Sequence, residues 1–471
     1  MRPCIAKGWS CPSRCRADVS ALRTLAEWTA SFDGNAIPAA VKAVAVTCLV
    51  DTMGVAIAGA ATGVAVQARA FAARHAAQGS AYVLGGDGLR LAVPGAAFVN
   101  GTAAHALDFD DNCYAGIVHG SAIILPAALA VAEAIGASGL ALLAAFIVGS
   151  EVEYAIGEAT GATLYGHGWW TTGVFGPLGA CAAACYLLRL DADTTGHALG
   201  IALSGTGGMK ACFGTDAKPI LAGRAAEAGV VAALLAAQGL TGPVDAVEHP
   251  RGFAAIFNKG NAASVDMPGA RWRLCDPGID VKRIPVCLSS HAAVDAVQAL
   301  MVEHSIASDQ ISRIECFVPP IVIANLVHDR PHTPQQAQFS LNFAVAVTAL
   351  FGTLTLAHLC QRVIAEPGVQ SMMAKVQMQA ASCSIMQRFK APEAALVRLH
   401  LADGRMFEAL RDLPRGAASL PLSATEIDAK FLGCTEAVLG QRAEPLLRGL
   451  RDVEQLPAAS DIFDVMKSEA R

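Results

Sequence analysis

Over the first 240 residues, apolar positions recur mostly with helical spacing. Val41, Val44, Ala45, Cys48, Leu49, Thr52 and Met53 share one face, with Pro38 near the start and Gly54 near the end, and predict a helix. Residues 62–80 read as a second, Ala-rich helix. The turn Gly85-Gly86-Asp87-Gly88 leads into a third, which runs to about Ala106 and presents His105 and Asp108, three residues apart, on one face. A polar loop over 109–120 follows. The next helix begins near Ser121–Pro126 and stops at Gly136; another runs from Ser138 to about Gly157. Short Gly/Ser/Asp connections link further helices to about Gln238.

The pattern changes near Asp276-Pro277-Gly278. Ile314, Cys316 and Val318 alternate with Arg313, Glu315 and Phe317, which predicts a strand. Val397, Leu399 and Leu401 do the same, and Asp403-Gly404 marks a hairpin before Met406–Leu410. Ser423 and Glu426 form a capping box for a returning helix. The predicted fold is mainly α with an inserted α+β unit. It comprises a leader (1–19), a helical domain (20–277), the α+β unit (278–412), a return to the helical domain (413–460) and a tail (461–471).

Composition narrows the partners. Hydrophobic residues make up 54% of the 471 and charged residues 16%, and the formal charge of −5 leaves no basic stripe for nucleic acid. The longest stretch free of Asp, Glu, Lys and Arg that could span a bilayer is Phe339–Cys360, but Asn342, Gly352 and His358 suit lipid poorly. Neither nucleic acid nor a membrane is expected as a partner. The 14 cysteines lack paired metal spacing, and no secretory segment precedes them. The expectation is reduced thiols and a cytoplasmic location, with a disordered, basic, acid-poor start.

Chemistry concentrates between two apolar runs at 101–126, where His105, Asp108, Asp110, Asp111, Asn112 and His119 fall close together. So many polar groups between core helices need partners. Lys218 precedes Pro219 at a predicted helix start, a place suited to a carboxylate, and burial there would favour a neutral base. Lys282, Arg283, Cys287, Ser289, Ser290 and His291 form a second polar cluster at the predicted junction. Cys287 beside cations reads either as a thiolate or as an inert buried thiol. His105, Asp108 and His119 could ligate zinc, but the spacing supplies no further ligand, and no metal is expected. Gly205-Thr206-Gly207-Gly208 completes no phosphate-loop pattern and reads as a close backbone approach.

In order, NGTAAHALDFDD (from Asn100), HGSAIILPAALAVAEAIGASG (from His119), GWWTTGVFGPLGA (from Gly168), DAKPILAGRAAEAG (from Asp216), KRIPVCLSSH (from Lys282) and AQFSLNFAVAVTAL (from Ala337) resemble the MmgE/PrpD family over about residues 20–460. The family includes 2-methylcitrate dehydratase, cis-aconitate decarboxylase and iminodisuccinate epimerase. The resemblance implies a helical domain with an inserted α+β lid, a homodimer, a small polycarboxylate substrate and no metal or organic cofactor.

Set against the decarboxylase branch, Asp108, His119, Lys218 and Lys282 keep their types. Asn112 replaces a Thr, Gly120 a Pro, Trp170 a His and Cys287 the lid His. The pattern is therefore more similar to the iminodisuccinate epimerase branch. The resulting expectation is a cofactor-independent epimerase of an amino- or imino-dicarboxylate. A lyase acting on a tricarboxylate is the alternative, and a non-catalytic binding protein the third reading. Epimerisation alpha to a carboxylate needs a base on one face and an acid on the other. Lys218 would be the base, Cys287 or His119 the proton donor, and Lys282 the stabiliser of enolate-like charge, with Asp108 completing the catalytic set. Asn112, Ser121, Trp170 and Thr172 would contact substrate, and Asp110 and Asp111 would support the site.

Overall fold

The computed structural model describes residues 20–260 and 265–466. The leader expected at 1–19, and residues 467–471 of the expected tail, lie outside the described residues. Two apolar cores are separate. The first joins the helices Ala39–Gly59, Val93–His105, Ser121–Ile135, Gly139–Gly166, Thr171–Leu187 and Ala217–Ala237. The second packs His291–Glu303 and Leu341–Phe351 on a sheet of four strands. The architecture is the mainly helical one expected, with a small mixed sheet in the second part.

Small residues set the helix spacing that matters for chemistry. A side chain at Gly223 would collide with Thr102 Oγ1 and the Phe98 carbonyl, and one at Gly101 would lie 3.1 Å from the Gly223 Cα. The Val93–His105 and Ala217–Ala237 helices therefore touch backbone to backbone. Their antiparallel contact sets the end of the first, His105, beside the start of the second, Lys218.

In the second part, Val376–Ala380 pairs in parallel with Ile311–Val318. That strand pairs antiparallel with Ala395–Leu401, which in turn pairs with Met406–Arg411. Ile314, Cys316 and Val318 are fully buried, as their alternation predicts. Val376, Met378 and Ala380 alternate with Gln377 and Gln379, yet this strand is absent from the sequence reading. A separate two-residue ladder joins Asn112–Cys113 to Ile279–Asp280. It draws the polar loop against the chain leading to Lys282.

Several local expectations need correction. The predicted 62–80 helix ends at His75, and Gln78–Tyr82 pairs with Arg90–Leu91 as a strand. The helix capped by Ser138 continues to Gly166, past Gly157. As the capping box predicts, the Ala424–Leu439 helix is capped by Ser423 and Glu426, and it buries Ile427 and Phe431 in the first core. Residues expected to begin a tail include Ile462 and Phe463, which are also core, and Phe463 stacks on Tyr82 at 4.6 Å.

Three helical stretches, Ala39–Gly59, Gly139–Thr160 and Ala217–Ala237, are long and apolar enough to cross a membrane by length and composition. Within the fold, 72%, 89% and 50% of their most apolar windows are buried by other elements. The uncharged run singled out in the sequence, Phe339–Cys360, breaks at Gly352, which adopts φ +80°.

Candidate active site

The Val93–His105 helix stops at His105, so Asp108 is not its next helical neighbour. It sits in a turn with φ +47°, in the left-handed region. That turn aims its carboxylate between two lysines. Lys218 Nζ lies 2.5 Å from Oδ1, and Lys282 Nζ lies 3.1 Å from Oδ2 and 2.7 Å from the Asp108 carbonyl oxygen. All three residues are at most 3% exposed. Burial alone would raise the Asp108 carboxyl, but Lys218 and Lys282 outweigh it and hold the group well below its usual range. Burial likewise opposes the Lys282 charge, and Asp108 and Asp110 more than offset it, so Lys282 is raised above an ordinary lysine. Lys282 is a fixed cation.

Lys218 also lies 2.8 Å from His105 Nε2, while His105 Nδ1 lies 2.7 Å from Asp110 Oδ2. Burial lowers His105 and keeps the ring neutral, while the ionised Asp110 carboxylate can only accept. The ring proton therefore sits on Nδ1, directed at Asp110, and Nε2 accepts from Lys218. The result is a buried chain, Asp110–His105–Lys218–Asp108–Lys282. The helix starts at Ala217, one residue before Lys218, with Pro219 in its first turn. Trp170, Phe213 and Phe339 surround the Lys218 Nζ, with ring centres 5.6, 5.3 and 5.1 Å away. Lys218 thus lies between an anion and a histidine inside an aromatic cage.

His119 is reached through a strained loop. Cys113 and Val118 exchange two backbone hydrogen bonds, and Ile117 between them adopts φ +55°, costly for a β-branched residue. His119 Nδ1 lies 2.8 Å from the Asp111 carbonyl oxygen, so Nδ1 carries the proton and Nε2 presents a lone pair. Burial lowers His119 to about 3, keeping the ring neutral. Cys287 is a thiol, not the thiolate that neighbouring cations suggested. Burial, then Asp108 and Glu393, push it up to about 11.

The expected residues divide by position. Asn112, His119, Trp170 and Cys287 line one cavity of about 40 Å³. Lys218 and Asp108 line a smaller neighbouring void. Ser121 and Thr172 line neither. Ser121 Oγ donates to Asp111 Oδ2, and Thr172 Oγ1 accepts the His119 backbone N–H at 3.0 Å, so both position their neighbours. His291 Nε2 meets the Val286 carbonyl at 3.1 Å inside the second part. Gly207 and Gly208 lie against the start of the Thr171–Leu187 helix, where Trp170 N–H donates to the Gly208 carbonyl at 3.2 Å. Sequence reasoning underrated His105 and Asp110, although both lie in the opening motif. It missed Tyr114, Tyr165, Asn325 and Glu393 altogether.

His105, Asp110 and His119 also offer donor atoms within 4.8 Å of one another. The direct 2.7 Å contact from His105 to Asp110 is a hydrogen-bond length, whereas two ligands on a zinc at about 2.0–2.1 Å from each would stand farther apart.

The MmgE/PrpD N-terminal domain matches residues 23–266 and the MmgE/PrpD C-terminal domain residues 284–451. The chain belongs to the MmgE/PrpD family. Within it, the chain is similar to cis-aconitate decarboxylase of Homo sapiens, 30% identical over 441 residues, covering 89% of each protein. The Mus musculus protein of that name is 28% identical over 438 residues, covering 89% of this chain and 88% of the relative. A cis-aconitate decarboxylase-like protein of Aspergillus oryzae is 26% identical over 471 residues, covering 94% and 95%. The chain is thus related to enzymes bearing the name of the lyase alternative, and the epimerase expectation gains no support from them.

Proposed function

We propose that this MmgE/PrpD protein is a lyase acting on a small polycarboxylate by proton transfer next to a carboxylate, with decarboxylation of the cis-aconitate type as its model reaction. The observation that carries the reading is the buried Asp110–His105–Lys218–Asp108–Lys282 chain beside a cavity that also holds neutral His119 and the Cys287 thiol. Loss of CO₂ leaves the bonding electron pair on an enolate-like carbon framework, and loss of water passes through the same charge after a carbon-bound proton is removed and before hydroxide departs. Fixed ammonium groups in a dry site stabilise such charge strongly. For loss of water, His119 Nε2 can take the carbon-bound proton and Cys287 can give one to the departing hydroxide; for loss of CO₂ only the second role is needed, with the proton delivered to carbon. The decarboxylase names of relatives spanning nearly the whole chain support the lyase direction.

One observation favours epimerisation as the second reading. Cys287 and His119 come from different parts of the fold yet line one cavity, as two-sided proton exchange requires. Proton NMR in D₂O with cis-aconitate, citrate and amino- and imino-dicarboxylates separates the two. Release of CO₂ or formation of an alkene supports the lyase. Deuterium entering alpha to a carboxylate, with inversion and no loss of mass, replaces it with the epimerase. Inertness across the panel removes both. The homodimer implied by the resemblance belongs to this proposal as well.

A further inference from the structure

Part of the cavity wall is built from residues that the proton chain does not use. Tyr165 O–H donates to Asn325 Oδ1 at 2.8 Å, and Asn325 Nδ2 donates to Ser289 Oγ at 3.0 Å. Ser289 O–H donates to Glu393 Oε1 at 2.5 Å, and Tyr114 O–H donates to Glu393 Oε2. Every hydroxyl proton in the network is therefore committed, and two of them converge on one carboxylate. Tyr114, Tyr165, Asn325 and Glu393 all line the same cavity as His119 and Cys287. Glu393 is 9% exposed.

The donor count fixes what this wall can offer. A carboxylate has about four lone-pair sites, of which two are taken here. Apart from the second amide N–H of Asn325, the network has only lone pairs left to give. A substrate carboxylate laid against it would meet another anion. A hydroxyl or amine would meet an unfilled acceptor. Burial raises Glu393, against Ser289 and Tyr114, which strengthens its hold on a donated proton. Lys210, whose Nζ lies 3.8 Å from the centre of the Tyr165 ring, is a nearby cation that interacts with Cys287 and Glu393.

We infer that Glu393, held by Tyr114 and Ser289, is a specificity-determining residue that selects polycarboxylates carrying a hydrogen-bond donor, a hydroxyl or an amine, beside their carboxylates. The inference rests on the proposed assignment of a polycarboxylate to this cavity and narrows it: cis-aconitate carries neither hydroxyl nor amine, so the wall favours a donor-bearing polycarboxylate over the model substrate.

Isosteric probes differing at one position test it through binding, without turnover. Succinate, malate and aspartate present hydrogen, hydroxyl and ammonium on the same dicarboxylate, and propane-1,2,3-tricarboxylate and citrate differ by one hydroxyl. Calorimetric titration of the full-length protein should show malate or aspartate, and citrate, binding at least about tenfold tighter than the partner lacking the donor. The malate and aspartate arms tell hydroxyl from amine. In Glu393→Gln, with folding checked by its melting curve, the preference should fall below about threefold, because the amide brings N–H donors of its own. Equal binding of the isosteres by the wild-type protein overturns the inference without any variant, as does a folded Glu393→Gln that keeps the preference. Failure of every probe to bind overturns the polycarboxylate assignment itself, and the inference with it.

Discussion

Asp108→Asn tests the centre of the site most directly. The change keeps size and shape but removes the one carboxylate that both lysines touch, at 2.5 and 3.1 Å. At an effective dielectric of about 20, a unit pair about 3 Å apart attracts by roughly 5–6 kcal/mol before desolvation. Removing one member of a buried pair costs about 3–5 kcal/mol in measured cases, because the partner stays buried without compensation. Against a folding free energy of about 5–15 kcal/mol, such a loss is large. The pH dependence carries the signature. In wild type the folded Asp108 is depressed, so its stabilisation is full above the unfolded value near 4 and is lost only as pH falls through the lower folded value. In the variant, a stranded ammonium escapes its penalty by shedding a proton. The unfolded lysine holds its proton to about pH 10.4, so the variant gains stability relative to wild type as pH rises from 7 to 10. Urea unfolding at pH 7, 8, 9 and 10 measures both effects. A difference below about 1 kcal/mol at pH 7, unchanged at pH 10, would refute the paired arrangement.

Two further outcomes follow from buried groups. With its thiol raised to about 11, Cys287 should react with iodoacetamide more slowly at pH 7.5 than an exposed cysteine and faster as pH rises; peptide mass mapping that finds it labelled first at pH 7 sinks the assignment. Burial lowers His119 and His291 to about 3 each, so their unfolded forms bind a proton near pH 6.5 while the folded forms do not. The two histidines should therefore withdraw stability as pH drops from about 6.5 toward 3, by about 2 kcal/mol each at pH 5. Asp111, Glu151, Glu153 and Asp280, raised by burial to about 7, 7, 8 and 6, act in the opposite direction. A folded His291→Gln whose urea midpoints keep the wild-type pH dependence between pH 7 and 5 would contradict the histidine contribution.

The sequence revealed what depends on local pattern. Helical spacing, the Ser423–Glu426 cap, the alternation around Cys316 and the Asp403-Gly404 hairpin are short-range signals, and the structure contains each. Cluster motifs also placed His119, Asn112, Trp170 and Cys287 on one cavity. Direction was harder to read. That Asp108 leaves the helix at positive φ, and that Ser121 and Thr172 turn toward Asp111 and the His119 backbone, depends on contacts made across the fold. Glu393 lies alone in an Ala-rich segment, and only the pairing of Ala395–Leu401 with Ile311–Val318 brings it toward Tyr114. No spacing rule reaches across 279 residues.

The size of the cavity constrains how such a site can work. About 40 Å³ holds roughly three waters, and a polycarboxylate is expected to need some give in the wall between the two parts. Two kinds of contact between the parts border the site. The ladder from Asn112–Cys113 to Ile279–Asp280 ties backbone to backbone next to Lys282, and it keeps Lys282 with Asp108. Tyr114 to Glu393 and Tyr165 to Asn325 are single side-chain hydrogen bonds between the first core's loop and helix and the second part. A net hydrogen bond contributes about 0.5–1.5 kcal/mol, or about 1.5–3 to a charged group, so these yield before a buried ion pair does. Any such give is expected to free Glu393 and Asn325 before the Asp108–Lys282 pair. The groups that meet an incoming substrate are then those whose hydrogen bonds must be remade around it, and closure is favoured when the substrate supplies what the wall lacks.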